Sequence, residues 1–245
     1  MAGHSKWANI KHRKSAQDAR RAKVFTKIAR EIIVAAREGG GDPAGNPRLR
    51  SAVAAARAAN MPGDRVEKAI KKGTGDVNGV QFESVLYEGY GPNGVAIFVT
   101  ALTDNRNRTT AEVRHLFSKY GGDLGAPGSV AWMFERKGYI EIPRADVDEE
   151  ALLEQVLESG GEDMRTEDDH FEIVTTPEVF PDVRDTLERA GFPMTTAEVT
   201  MVPQTYVEIA AGDADGVIAL LEGLEDHDDV QKVSANCEIM DAATS

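Results

Sequence analysis

Residues 94–122, "GVAIFVTALTDNRNRTTAEVRHLFSKYGG", contain the change of hydrophobic period that decides the fold class. The first part, "GVAIFVTAL", is a continuous apolar run rich in β-branched residues, which predicts a strand. The second part, "RNRTTAEVRHLFSKYGG", has helical spacing and ends at Gly121 and Gly122, which favour a helix end. The apolar run "SVAWMF" follows and predicts another strand, so this region reads β-α-β.

The chain continues with two more groups of strands and helices. Residues 138–202 carry the signals of a β-α-β-β-α-β unit, the ferredoxin-like order, and "TYVEIA", "DADGVIALLEGLE" and "DVQKVSA" then predict a last β-α-β. Two strands alone make only a marginally stable sheet, so we expect the first and last β-α-β segments to pair in one domain. Two independent half-domains are the alternative.

The N-terminal part predicts three helices instead. Between about residues 16 and 38, Phe25, Ile28, Ile32 and Ala35 recur at helical spacing, and "GGG" at 39–41 ends the helix. A second helix is signalled by Asn46 as its cap with Pro47 at its first position. A third, short helix follows Met61 and Pro62, with Gly73 placed to cap its end, and the glycines up to Gly79 mark a linker.

The predicted fold class is therefore α+β: an N-terminal three-helix domain followed by two ferredoxin-like α+β domains, one inserted in the other. The predicted limits are residues 1–78 for the helical domain, 79–135 together with 203–245 for the discontinuous α+β domain, and 136–202 for the inserted α+β domain.

Charge is divided unequally between these parts. Residues 1–72 hold 17 Lys and Arg against 6 Asp and Glu, which is a net +11. The remainder holds 28 − 17 = 11 basic and 41 − 6 = 35 acidic residues, which is a net −24. Such a difference indicates one segment that approaches polyanions and a body that avoids non-specific contacts.

Composition excludes several classes of protein. No apolar run approaches the roughly 18 residues of a membrane span, and the N-terminus lacks the apolar core of a signal peptide. The single Cys237 can form no intramolecular disulfide, so we expect a cytoplasmic protein. "GYGPNG" at 89–94 is a turn and not a dinucleotide site, because a strand and not a helix follows it. We expect no catalytic residues, no metal, no cofactor and no small-molecule substrate, and we interpret His170 and His227 as members of solvated acidic turns.

Basic residues on one side of the first predicted helix form the candidate functional surface. At about 100° per residue, one sector opposite the apolar side holds a set that we call the basic face: Arg13, Arg20, Lys23, Lys27, Arg30 and Arg37. In the preceding arm, residues 6–14, charge is added by Lys6, Lys11, Arg13 and Lys14, and Trp7 could stack on a nucleobase. The predicted nucleic-acid contacts are Lys6, Trp7, Lys11, Arg13, Lys14, Arg20, Lys23, Lys27, Arg30, Lys68, Lys71 and Lys72. The alternative is a solvated helix face with a locally packed Trp.

A second anion contact is predicted at the start of the helix in the opening quotation. Arg106 and Arg108 lie at or before its N-terminus, where helix N–H groups suit an anion. The alternative is a capped turn whose arginines pair with nearby carboxylates.

Four segments together resemble the YebC/PmpR family. They are "GHSKWANIKHRKSAQDARRAKVFTKIAREI", "NMPGDRVEKAIKKGTG", "YEGYGPNGVAIFVTALTDNRNRTTAEVRHLFSKYGG" and "GSVAWMF", and they span most of residues 3–134. The resemblance implies three domains, no enzymatic activity and a role in regulating gene expression. It also implies two versions of that role: DNA-binding transcriptional regulation, or translation, as in the mitochondrial activator of cytochrome c oxidase and in bacterial members linked to the ribosome.

The residues leave the nucleic acid open. The third helix is short, and its lysines suit phosphates better than base edges, so ribosomal RNA fits as well as promoter DNA. A third reading is a protein–protein adaptor that acts through the acidic α+β domains.

Overall fold

A computed structural model describes the backbone of residues 17–75 and 81–240 and the side chains of residues 21–75 and 81–240. Within these ranges the fold is α+β, as predicted: a helical region precedes two antiparallel four-stranded sheets. The helical region comprises α1 (Gln17–Gly39), α2 (Pro47–Ala58) and α3 (Gly63–Gly75). None of the helices in the described ranges is both long and apolar enough to cross a membrane.

Asn46 joins the end of α1 to the start of α2. Its Oδ1 accepts a hydrogen bond from the Leu49 N–H at 3.1 Å, which caps α2 as predicted. Its Nδ2 donates to the carbonyls of Ala35 at 2.7 Å and Gly40 at 2.9 Å. One buried side-chain amide therefore links the C-terminal part of α1 and the residue after it to the start of α2.

The predicted apolar side of α1 forms the core of the helical region. Phe25, Ile32 and Ala35 are buried there, and Leu49 of α2 packs with them. Gly73 does not cap α3 as predicted but lies inside it, because the helix continues to Gly75. Helix α3 approaches α1 closely at Gly73, where an added Cβ would lie 2.5 Å from the Ile33 carbonyl oxygen. The close approach needs glycine at this position.

The first sheet combines strands from both ends of the remaining chain. Its spatial order is β3-β1-β2-β9, with all neighbours antiparallel. The strands are β1 (Glu83–Tyr90), β2 (Ala96–Thr103), β3 (Asp123–Leu124) and β9 (Val230–Ala235). Helices α4 (Arg106–Lys119) and α7 (Asp215–Glu225) cover it and supply Phe117 and Leu220 to the shared core.

The neighbours of β2 differ from those of a ferredoxin-like order. That order would place "TYVEIA" beside β2, whereas β1 occupies this position. Strand β8 (Val207–Ala210) pairs instead, in parallel, with β10 (Cys237–Met240). The hydrophobic pattern of the sequence does not reveal β1. Burial alternates along this strand, with Leu86 54% exposed between buried Val85 and Tyr87, but all three residues are apolar, so the sequence shows no alternation of apolar and polar residues.

The predicted strand "SVAWMF" is also different in the structure. Residues Ala131–Met133 form a short 3-10 turn, and a strand begins only at Phe134. The Glu88 carboxylate accepts hydrogen bonds from the backbone N–H groups of Gly128, Val130 and Ala131 at 2.6–2.8 Å. Because the Glu88 side chain accepts from these backbone N–H groups, they are not available to pair with a neighbouring strand, and the segment forms a turn.

The second sheet lies within residues 134–203. In chain order its elements are β4 (Phe134–Pro143), α5 (Glu149–Ser159), β5 (Asp163–Thr166), β6 (His170–Thr175), α6 (Phe180–Arg189) and β7 (Thr196–Pro203). The spatial order β5-β6-β4-β7, all antiparallel, is the predicted ferredoxin-like arrangement.

This second sheet comes from chain that lies between β3 and β9 of the first sheet. Strand β4 begins at Phe134, two residues before the predicted limit at residue 136, and pairs from its first residue with Pro203. The division of the chain into domains remains a prediction that the excision experiment below tests.

Candidate nucleic-acid interface

The predicted contact residues divide into three groups. Residues Lys6, Trp7, Lys11, Arg13 and Lys14 lie outside the described residues, and only the backbone of Arg20 is described, in α1. The remaining predicted contacts are Lys23, Lys27 and Arg30 on α1 and Lys68, Lys71 and Lys72 on α3.

Lys23 and Lys27 of α1 contact the turn between α7 and β9. We call residues 225–229, with sequence Glu-Asp-His-Asp-Asp, the acidic turn. Lys23 Nζ lies 3.1 Å from Asp226 Oδ1 and donates to the Asp226 carbonyl at 3.2 Å. Lys27 Nζ donates to the Glu225 carbonyl at 2.6 Å. These carbonyls belong to the C-terminal end of α7, where unpaired acceptors and the helix dipole favour cations, and α7 has no basic residue in its own last turn.

Arg30 enters a more buried part of the same contact. Its guanidinium donates to the Asp228 carbonyl and lies 2.8 Å from Asp229 Oδ1. It also lies over the Phe82 ring, 5.5 Å from the centroid, which is a cation–π geometry. Three residues of the basic face therefore bind the acidic turn.

Asp229 is the centre of this contact. Its side chain is 4% exposed and also accepts hydrogen bonds from Thr109 Oγ1 at 2.6 Å and from the Arg108 guanidinium at 2.7 Å. Burial raises the pKa of Asp229, but the hydrogen bonds from Thr109 and Arg108 and the charge of Arg30 outweigh it, so the pKa lies below its ordinary value. An ionised Asp229 thus joins α1, α4 and the acidic turn.

The two arginines of the predicted second anion contact have different surroundings. Arg108 pairs with Asp104 at 2.9 Å as well as with Asp229, which is the paired arrangement named as the alternative. Arg106 is exposed and, with Arg114, lines a cleft of about 440 Å³ between α4 and β1. Within the described ranges neither Arg106 nor Arg114 forms an ion pair, so anion binding at this end of α4 remains a prediction carried by Arg106.

The three lysines of α3 are exposed. Lys68 Nζ lies 3.6 Å from Asp64 one helical turn away, and an exposed pair of this kind contributes little. Among residues 21–75 and 81–240 no carboxylate pairs with Lys71 or Lys72. Within the described ranges, Lys71 and Lys72 are therefore the predicted contacts that an incoming polyanion can reach without displacing a carboxylate.

The interpretation of the histidines as solvated turn residues is wrong for both. His170 is buried, and His227, a member of the acidic turn, is half-buried against α4. His227 Nε2 lies 2.9 Å from Glu112 Oε2, and its Nδ1 accepts from the Asp229 N–H at 3.1 Å. The Glu112 neighbour of His227 lies 115 positions away along the chain, which the local acidic sequence does not reveal.

Glu112, His227 and Asp229 bring three possible metal-ligand atoms within 4.8 Å of one another. Both ring nitrogens of His227 already make hydrogen bonds, and Asp229 is held by two arginines and a threonine. A cation would have to displace these partners beside two guanidinium groups. The cluster is better explained as the support of the acidic turn.

Fold and charge first define a class of protein: an α+β protein whose basic helical region contacts an acidic α+β region. Family models match nearly all of it, the "TACO1/YebC protein N-terminal domain" over residues 5–76 and the "TACO1/YebC second and third domain" over residues 82–237. The chain belongs to the TACO1/YebC family, as the signature segments predict.

Relatives of the whole chain agree with this assignment. A probable transcriptional regulatory protein of Carboxydothermus hydrogenoformans is 55% identical, covering 98% of this chain and 100% of that protein. One from Geobacter sulfurreducens is 54% identical, covering 98% and 96%. The crystal structure of a conserved hypothetical protein, Aq1575 from Aquifex aeolicus, is similar with a TM-score of 0.87 and 52% identity, covering 98% of this chain and 100% of that one.

Proposed function

We propose that this protein is a non-enzymatic regulator of gene expression that binds nucleic acid through its basic helical region. The observation that carries the proposal is the separation of charge, a net +11 within residues 1–72 and −24 in the rest of the chain. A segment with that charge attracts phosphates, while the acidic body repels them, so the polyanion is directed to one region. The relatives named as probable transcriptional regulatory proteins support the same role.

Two groups of side chains are proposed as the first contacts. The lysines of α3 are exposed, and the arm residues Lys6, Lys11, Arg13 and Lys14 precede α1. Lysine ammonium groups bind phosphates as point charges and carry no base-specific hydrogen-bond pattern, so these contacts give affinity more than sequence selectivity. Trp7 is proposed to add stacking on an unpaired base.

The proposed target is promoter DNA, in keeping with the relatives' names, and a ribosomal RNA target is the second candidate. The observation that favours RNA is the chemistry of α3, whose exposed side chains are mostly lysine and acidic residues. Helix α3 has no Asn or Gln to read base edges, and its one arginine, Arg65, lies over the Phe25 ring, 5.6 Å from the centroid. Sequence-independent phosphate contacts suit a densely folded RNA.

A titration series at several salt concentrations tests the proposal. Changing Lys68, Lys71 and Lys72 together to Gln keeps good helix formers and should make the slope of log affinity against log salt shallower by about 2 to 3. Changing the four arm residues to Gln should have a comparable or larger effect. Duplex DNA and a ribosomal RNA fragment are measured in parallel, and the tighter complex identifies the target.

Arg136, Arg144 and Arg189 provide the matched control. All three are exposed and lie in the segment that forms the second sheet, so their change to Gln removes the same charge from another surface. The control should leave the salt slope nearly unchanged. If the α3 and arm variants fold and yet bind both nucleic acids like the wild type, the proposed surface is wrong. If the wild-type chain binds neither at low salt, the adaptor reading replaces the proposal.

A further inference from the structure

We infer that the acidic turn and a bound nucleic acid compete for the same side of α1, so that the protein binds nucleic acid fully only after the turn has moved away from Lys23 and Lys27. This inference rests on the proposed function and names how the same surface is regulated.

The contacts extend along one side of α1. Lys23, Lys27 and Arg30 lie at positions i, i+4 and i+7 of α1, on one side of the helix. They meet consecutive residues of the acidic turn, from Glu225 and Asp226 at one end to Asp228 and Asp229 at the other. The turn therefore lies along the basic face over about two helical turns.

The acidic turn offers α1 the same chemistry that a phosphate chain would offer. Its acceptors are carbonyl oxygens at the negative end of α7 and the carboxylates of Asp226 and Asp229. Oxygen acceptors with negative charge are also what phosphodiester groups present to lysine and arginine. A nucleic acid could thus replace the turn at Lys23 and Lys27 without leaving either ammonium group unpaired.

The two ends of this contact differ in strength, which decides where it opens. The Lys23 and Asp226 side chains are 43% and 73% exposed, so their ion pair is weak and screened by salt. The Arg30 and Asp229 side chains are 18% and 4% exposed, and Thr109 and Arg108 hold the same carboxylate. The turn should therefore separate from Lys23 and Lys27 first and stay attached at Asp229.

The competition predicts opposite effects from opening and from closing the contact. Asp226→Asn removes the carboxylate that pairs with Lys23 at 3.1 Å and should tighten binding to a 20-nucleotide RNA and a 20-base-pair DNA by roughly two- to five-fold. The salt slope should steepen by up to about 0.7 to 0.9 for each lysine that gains a phosphate. Asp213→Asn is the control: it removes the same charge from an exposed residue before the opposite end of α7 and should have a smaller effect.

Cross-linking closes the contact. In a Cys237→Ser background, Lys23→Cys with Asp226→Cys can be joined by a short bis-maleimide, and the same protein capped with N-ethylmaleimide is the matched control. The linked form should bind more weakly and with a shallower salt slope than the capped form, because Lys27 stays covered.

The possible results separate the two proposals. If the wild type binds but neither Asp226→Asn nor the cross-link changes affinity or slope beyond their controls, the competition is wrong and the proposed function stands. If the cross-linked form binds as tightly as the capped form while Asp226→Asn tightens binding, the effect is long-range charge and the competition is again wrong. If the wild type binds neither probe at low salt, the proposed function fails and the competition fails with it.

Discussion

Asp229→Asn should destabilise the contact between α1, α4 and the acidic turn without unfolding the second sheet. The variant keeps the size of the side chain but loses its charge, and one carboxylate oxygen becomes an NH₂ group that faces cationic donors. In the wild type, Arg30, Arg108 and Thr109 all donate to this carboxylate. Removing one partner of a buried pair costs roughly 3–5 kcal/mol. Because Arg108 is 43% exposed and regains water, we expect about 3 kcal/mol.

Hydrogen exchange read by mass spectrometry measures this cost locally. A loss of about 3 kcal/mol makes the equilibrium constant for local opening roughly 100-fold larger. We therefore expect roughly 100-fold faster hydrogen exchange for amides of α1 and of the acidic turn. Amides of β4 and β6 should exchange as in the wild type, since Asp229 lies outside their sheet. Asp226→Asn, a change of the same kind at an exposed carboxylate, should stay within tenfold of wild type.

The sign of the pH dependence follows from the lowered pKa of Asp229. Its contribution to stability is present above the ordinary pKa of 3.8 and is lost only as the pH falls through the lower folded value. The reasoning is refuted if Asp229→Asn leaves α1 exchange unchanged at neutral pH, or if it accelerates exchange in the second sheet as strongly as in α1.

Two further predictions concern the α+β part. Burial lowers the pKa of His170, but the carboxylates of Glu172 and Asp169 raise it to about 9, above its ordinary 6.5. His170→Gln should therefore lower the free energy of unfolding by up to about 3 kcal/mol below pH 6.5 and by progressively less as the pH rises through 9. Denaturant unfolding measures this difference, and an equal loss at pH 6 and pH 10 would contradict the prediction. Replacing residues 137–202 by a short flexible linker should leave a cooperative unfolding transition followed by circular dichroism, because all four strands of the first sheet lie outside the deleted segment; no such transition would mean that the nested domains are not independent.

Local sequence signals determined the elements whose causes are local. The Asn46 cap, the proline after it and the alternating segments of 138–202 each act within a few residues, so the three helices and the ferredoxin-like order could be predicted. The family also followed from short segments, because their combination is specific to it. The division of charge was visible by counting, since net charge does not depend on folding.

Tertiary structure alone decided how these elements meet. Which strand lies beside β2 depends on pairing across the sheet, where β1 and "TYVEIA" were both available and only β1 is used. The sequence shows a basic helix and an acidic turn, but Lys27 and Glu225 are 198 positions apart, and no period or spacing records that they touch. A contact of this kind follows from the packing of whole elements, which is why the charges predicted a candidate surface but not the acidic turn that lies along it.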